Sequence, residues 1–302
     1  MGGYAVLKNS LLTFKNCKNT EITDVTVFSS PGYAITVFPR CENFSLLRYK
    51  VVCPENSQRA MASNVDSIHL LGLTGNLTVK DCTFSGLGDD ALNIHSTAGY
   101  ITDVCENRIT AINKRFGICL EDNWCQKGDI LTVYNSELQI IGKAVAESFD
   151  GESITISELE GELKQGAFIG NDAYKADALI ENCEINNSRA RGIVLQCGKA
   201  DVKKCKFFGI ALPAILISPD IEFWQELGPA DSISIENCTF EKCAFSGEVS
   251  AKAAIVSACE HGCVKYYSAP IHNEITLENN SFDCRYRQCL LENVRKIKNP
   301  LW

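Results

Sequence analysis

Nowhere in the 302-residue chain does an uninterrupted apolar stretch reach the length of a membrane span, about 20 residues. There is no basic run and no patch of lysine or arginine interleaved with aromatics, and the formal net charge is −8. Nucleic acid and anionic membrane surfaces are therefore not expected partners. The chain has 16 cysteines but no pair of CxxC motifs, and Cys259 and Cys263 stand too isolated for a zinc site. No metal or other cofactor is expected. Amphipathic helical periodicity is missing between the strand-like segments, which excludes a doubly wound α/β fold. Hairpin turns such as Asn-Gly are scarce, which argues against a β-sandwich. No signal peptide opens the chain either: Met1-Gly2-Gly3-Tyr4 leads at once into strand pattern. The expectation is a cytoplasmic protein, or an exported one whose leader lies outside this sequence.

What the chain does have is repetition. Short alternating strands recur between Asn, Gly and Asp turns: Ile22 to Val27, Asn76 to Cys82, Ala178 to Cys183, Ser232 to Cys238 and Ile275 to Asn280. A second set follows about a dozen positions behind: Ala34 to Val37, Asp90 to Ile94, Gly192 to Leu195, Ala214 to Ile217 and Ala254 to Val256. Where no loop intrudes the spacing is regular, 22 residues from Cys183 to Cys205 and 22 from Ile193 to Ile215. Coils of that length, with short β-branched strands, predict a right-handed parallel β-helix whose rungs stack about 4.8 Å apart. Cysteine recurs in one context, as in Asp81-Cys82-Thr83-Phe84 and Asn237-Cys238-Thr239-Phe240, and is read as a small apolar side chain stacked inside the coil.

One stretch breaks the repeat. From about Cys105 onward the asparagine turns vanish, and Lys127 to Tyr134, Leu138 to Ile141 and Ser153 to Ile156 look antiparallel. The expected organisation is a first part of the helix at 1–104, an inserted small β-barrel or sandwich at 105–175, and a second part at 176–302. A lid or wall beside a site is the simplest role for the insert.

Aligning rungs on their inward residues pairs Ile68 with Leu92 and Leu70 with Ile94. Asp66 then lies beneath Asp90, with Asp89 just before it, and His69 lies under Asn93 with His95 on the same outward face. Carboxylates one rung apart repel, so at least one has its pKa raised. A protonated acid beside ionised carboxylates suits glycoside hydrolysis, and the residues alone leave the division of roles open. Asp and Asn also favour β-helix turns for backbone reasons, and clustered carboxylates also bind calcium.

At these positions Ala62-Ser63-Asn64-Val65-Asp66-Ser67-Ile68-His69 and Gly88-Asp89-Asp90-Ala91-Leu92-Asn93-Ile94-His95 resemble glycoside hydrolase family 110. The similarity continues through Arg191 to Gln196, Ala214 to Ile217 and Phe223 to Gly228. The resemblance implies a β-helix interrupted by a β-barrel and an inverting exo-α-galactosidase acting on terminal α-1,3-linked galactose. It implies Asp89 as general acid, with Asp66 and Asp90 positioning and activating water. It also implies an extracellular or periplasmic place. Inversion predicts carboxyl separations of about 6.5–9.5 Å between acid and base.

His69, Asn93 and His95 are candidate substrate contacts on the same face. Arg191 falls at the strand position of Asp90 if Ile193 aligns with Leu92, suited to a sugar hydroxyl or to an aspartate. Trp224 offers a flat face to the C–H side of galactose, and Glu226 can accept hydroxyl hydrogen bonds. Trp124 and Arg115, in the insert, are weaker candidates for reaching over the site. The alternatives are a polygalacturonase-like hydrolase and a non-catalytic, glycan-binding β-helix. Against the former, Asn93-Ile94-His95-Ser96 is not Gly-His-Gly, and the basic Arg295-Lys296-Ile297-Lys298 stands near the C-terminus.

Overall fold

The computed structural model describes residues 10–246, 252–258 and 262–298. Three parallel sheets wind around one core, each rung contributing a short strand to each sheet. The first sheet stacks Leu12–Phe14, Ile35–Val37, Ile68–Leu71, Leu92–Thr97, Ile193–Leu195, Ile215–Leu216, Ala253–Val256 and Arg287–Leu290. The second includes Thr74–Lys80, Asp177–Glu181 and Lys199–Lys203; the third includes Thr83–Leu87, Glu184–Ser188 and Lys206–Ile210. Among the described residues there is no helix long and apolar enough to cross a membrane.

The rungs stack because inward side chains repeat in register. Ile35, Ile68, Leu92, Ile193, Ile215 and Ile255 form one fully buried column. Phe207, Phe240 and Phe282 form another, with ring centroids 4.9 Å apart at each step. At the turn between the second and third sheets the backbone takes a positive φ at Asp81, Asn182, Lys204, Asn237 and Asn279. Asn and Asp tolerate that conformation better than other side chains, which explains the turn residues of the repeat. Cys82, Cys183, Cys205 and Cys238 follow these turns. Each is buried, and each thiol donates to a carbonyl of the preceding rung at 3.4–3.6 Å. These four take the stacked apolar role expected of the turn cysteines, and the described cysteines are free thiols, with Cys105, Cys119 and Cys263 exposed. Cys259 lies outside the described residues.

Leu92 pairs directly with Ile193, and Leu77 with Ala178, so the chain between Thr97 and Asp177 is looped out of the helix. Most of it forms an antiparallel sheet running from Gly99 to Asn171, where the sequence points to an insert at 105–175. Strands Gly99–Cys105, Phe168–Asn171, Ile130–Tyr134, Ile140–Phe149, Ser153–Gly161 and Arg108–Asn113 pair in turn, and the last pairs with the first. The sheet is therefore a closed small barrel, with its own core of Ile101, Ile109, Leu131, Val133, Ile154 and Trp124. A third apolar cluster, Ala98, Tyr134, Phe168, Ile221 and Leu227, joins barrel to helix.

Candidate active site

The pairing of Ile35, Ile68, Leu92 and Ile193 fixes what stands two residues ahead of each. Tyr33, Asp66, Asp90 and Arg191 thus form a second column at the entrance to the first sheet. The backbone helps hold it, because each aspartate caps the rung above. Asp66 Oδ1 accepts the N–H of Asp90 at 3.3 Å, and Asp90 Oδ1 accepts the N–H of Arg191 at 3.0 Å. The turn-capping role of aspartate is therefore real here, and it operates together with the clustering of the acids.

Asp66, Asp89 and Asp90 come together so that one carboxylate oxygen from each lies within 4.8 Å of the others. Arg191 Nε donates to Asp90 Oδ1 at 2.8 Å, and its guanidinium lies 3.9 Å from Asp89. Burial opposes charge on Arg191, but Asp90 and Asp89 outweigh it and hold the group protonated. That fixed cation competes with any metal ion at the three acids. Asp89 is the most open of the three. Burial, then the charges of Asp90 and Asp66, push its pKa up to about 8. Burial, then Asp90 and Glu226, raise Asp66 well above the carboxylate range.

One residue further along the sheet, His69 lies beside Asn93. Its Nδ1 is 2.6 Å from Asp66 Oδ2 and its Nε2 is 3.3 Å from His95 Nε2. His95 Nδ1 meets the carbonyl of Ser96 at 3.1 Å. Burial lowers the pKa of both imidazoles. Both nitrogens of each ring are thus engaged within the protein.

Glu226 arrives from a loop that crosses the top of the first sheet, where Ser96 and Thr97 pair with Leu227 and Glu226. Asn93 donates to its Oε1 at 3.1 Å and Gln196 to its Oε2 at 2.7 Å. Burial opposes its ionisation, but His95, His69 and Arg191 outweigh burial and keep its pKa below the usual value. Gly228 allows this approach: at φ 156° it lies so close that a Cβ would overlap the Gln196 carbonyl. On the barrel side Gly170 does the same for the Leu227 side chain. The insert is packed as a wall against the loop that carries Glu226.

Three buried acceptors here have no hydrogen-bond partner: Asp90 Oδ2, Asn93 Oδ1 and Gln196 Oε1. A buried acceptor left without a donor costs about 1–3 kcal/mol. A ligand rich in hydroxyl groups would supply the donors.

The structure also adds residues. Tyr33 packs its ring 4.8 Å from His69, and burial together with Asp66, Asp89, Glu226 and Asp90 raises its phenol pKa. Its signal was present, since Tyr33-Ala34-Ile35 occupies the register of Asp66-Ser67-Ile68, but it carries no charge to draw the eye. Gln196 stands at the outward position of His95, because Leu195 pairs with Ile94.

Trp124 is a correction. It does not reach over the acids but lies fully buried in the barrel core, its indole N–H donating to the Thr97 carbonyl at 2.8 Å. A ring that large fills the middle of a small closed sheet better than anything else available there. Arg115 and Trp224 meet each other rather than the aspartates, the guanidinium 3.5 Å from the indole centroid. The basic stretch near the C-terminus lies on the second sheet, where Lys296 and Lys298 pair with Glu274.

A family model described as a right handed beta helix region matches residues 124–293. The α-1,3-galactosidase A of Bacteroides fragilis is 24% identical over 279 residues, covering 88% of this chain and 45% of that protein. The α-1,3-galactosidase A of Akkermansia muciniphila is 26% identical, covering 81% of this chain and 41% of its own length. The chain thus spans less than half the length of these relatives, in keeping with the resemblance to glycoside hydrolase family 110. Among solved structures, the A-module of an Azotobacter vinelandii mannuronan C-5 epimerase is similar at a TM-score of 0.39 and 11% identity, covering 91% of this chain and 62% of that one.

Proposed function

The chain belongs to the family of right-handed β-helix regions, and on that scaffold we propose a glycoside hydrolase that removes terminal α-1,3-linked galactose from glycans. The observation that carries this reading is the meeting of three carboxylates, Asp66, Asp89 and Asp90, within 4.8 Å, where burial and the neighbouring acids push the Asp89 pKa up to about 8. The similar galactosidases supply the sugar and the linkage for this reading.

Asp89 acts as general acid: it gives its proton to the glycosidic oxygen as the bond to the anomeric carbon breaks. A water attacks that carbon from the opposite face and passes its proton to Asp90, whose Oδ2 has no other partner. The products are free galactose and the shortened glycan alcohol. Asp66 orients the water, Arg191 holds Asp90, and Asn93 and Glu226 contact sugar hydroxyls. His69 and His95 form the floor that fixes Asp66, and Trp224 stands at the rim. The inserted barrel, Gly99 to Asn171, walls one side, between rungs that leave the helix after Thr97 and rejoin it at Asp177.

A second reading has one specific observation behind it. Carboxylate oxygens that come within 4.8 Å of one another can approach more closely than the wide gap of inverting enzymes requires. A carboxylate would then attack the sugar directly. Proton NMR of the galactose first released from Galα1-3Gal decides between them: β-galactose is expected for the inverting route. Initial α-galactose would establish retention. No hydrolysis of this disaccharide or of p-nitrophenyl α-galactoside would remove the proposal.

A further inference from the structure

Two residues before Glu226, the same loop carries an aromatic corner that the acids do not use. The rings of Phe223 and Trp224 stand nearly perpendicular, at 87°, with centroids 5.1 Å apart. The guanidinium of Arg115 fills the corner, 3.7 Å from the Phe223 centroid and 3.5 Å from that of Trp224. Arg115 comes from the barrel, so the corner bridges barrel and helix. Trp224 nevertheless leaves 41% of its surface in solvent, and Phe116, whose ring centroid lies 5.6 Å from the Arg115 guanidinium, is also exposed.

Exposed aromatics are ordinary when mobile, but this one is pinned. The next residue, Gln225, is fully buried in a left-handed conformation at φ 56°. Its amide donates to the carbonyls of Ala98 at 3.0 Å and Ile112 at 3.1 Å, while its oxygen accepts the N–H groups of Lys114 and Arg115. One side chain thereby fixes both partners of the cation–π contact and the Glu226 that follows. Asp220 closes the loop, accepting the N–H groups of Phe223 at 3.1 Å and Trp224 at 3.3 Å. Two residues of extended chain span at most about 7 Å, so the backbone that carries the indole lies within that distance of the backbone that carries Glu226.

We propose that Trp224, backed by Arg115 and Phe223, is a binding platform for the sugar ring next to the terminal galactose. The platform selects a glycan aglycone over a small leaving group. Pyranose rings present C–H faces that stack on a rigid indole, and the guanidinium edge offers donors to ring hydroxyls. The galactose itself belongs beside Asp89, where the acceptors of Asp90, Asn93 and Gln196 lack partners. This inference rests on the glycosidase reading for its substrate, and the test separates the two.

The whole chain and its Trp224→Ala, Trp224→Phe and Arg115→Ala variants are assayed on Galα1-3Gal and on α-galactosyl fluoride, which has no second ring. For Trp224→Ala the ratio of kcat/KM, disaccharide to fluoride, is expected to fall about tenfold, with partial recovery in Trp224→Phe. Arg115→Ala is expected to shift the ratio the same way. Equal losses on both substrates would overturn the platform. In parallel, saturation-transfer NMR follows lactose, which carries no α-linked galactose. Transfer from wild type and Trp224→Phe but not from Trp224→Ala supports the platform even if neither galactoside is hydrolysed, in which case only the glycosidase reading fails. Lactose that receives no saturation from wild type, or as much from Trp224→Ala, removes the platform.

Discussion

His69 and His95 face each other through their Nε2 atoms at 3.3 Å, and only one hydrogen fits between them. The Ser96 carbonyl can only accept, so His95 Nδ1 carries a proton and, in a neutral ring, Nε2 does not. His69 must then donate from Nε2, which leaves its Nδ1 as an acceptor facing Asp66 at 2.6 Å. The proton in that contact therefore belongs to Asp66. Tautomer logic and the upward shift of the Asp66 pKa agree.

An uncharged Asp66 can be replaced by an amide with little disturbance. Asp66→Asn keeps a donor towards His69 and an acceptor for the Asp90 N–H, so it is expected to cost under about 1 kcal/mol. Asp66→Leu leaves both neighbours unpaired and is expected to cost about 2–4 kcal/mol, two such groups being exposed. Urea unfolding at pH 7 measures the difference. An asparagine variant as unstable as the leucine one would contradict a protonated Asp66.

Asp89 should set the alkaline limb of activity. Its carboxyl must be protonated to act as acid, so kcat/KM is expected to fall as pH rises through about 8. Asp89→Asn is expected to lower kcat by at least about 100-fold. The linkage to stability runs against the usual carboxylate case. A pKa raised from 3.8 to about 8 means that the folded state holds the proton more tightly, so stability declines as pH climbs between these values. The Asn variant is expected to lose the Asp89 share of that decline and keep the Asp66 share, read from unfolding midpoints across pH 4 to 8.5.

Arg191 balances the three acids from one side. Arg191→Gln removes the partner of a buried carboxylate and is expected to destabilise the fold by about 3–5 kcal/mol. The remaining carboxyls bind their protons more tightly without the guanidinium, so the alkaline limb of any residual activity moves to higher pH. Denaturant titration and a pH–rate profile read the two effects. An unmoved limb would show that Arg191 does not act on Asp89.

Gln225 is expected to be the costliest substitution in the loop. Gln225→Ala leaves the Ala98 and Ile112 carbonyls and two barrel N–H groups without their buried partner, at about 2–4 kcal/mol. Gln225→Gly also loses the amide but relieves the left-handed backbone. It is expected to be the less damaging of the two. Thermal unfolding of both variants tests the ranking.

Much of this site can be read from the sequence because a β-helix turns register into geometry. Once Ile68 is set against Leu92, the meeting of Asp66 with Asp90 follows from position alone, and Ile193 brings Arg191 with it. What arrives by loop cannot be aligned that way. Glu226 suggested itself by its chemistry, yet its partners Asn93 and Gln196 depend on how residues 220–228 cross the sheet. Trp124 misled for the same reason: whether a tryptophan in a small barrel faces in or out depends on antiparallel pairing with distant strands. Tyr33 was in plain register, but a neutral aromatic at that column has no electrostatic signature.

Asp90 and Arg191 are neighbours in space and 101 residues apart in the chain, with the barrel made between them. On the ribosome, at about 5–20 residues per second, the acids emerge some 5–20 seconds before their counter-ion exists. The early rungs must therefore tolerate an uncompensated acidic edge while a separate module folds. Arg191 lowers the pKa of Asp66 and of Asp89, so until it arrives both acids hold their protons more tightly than in the finished fold.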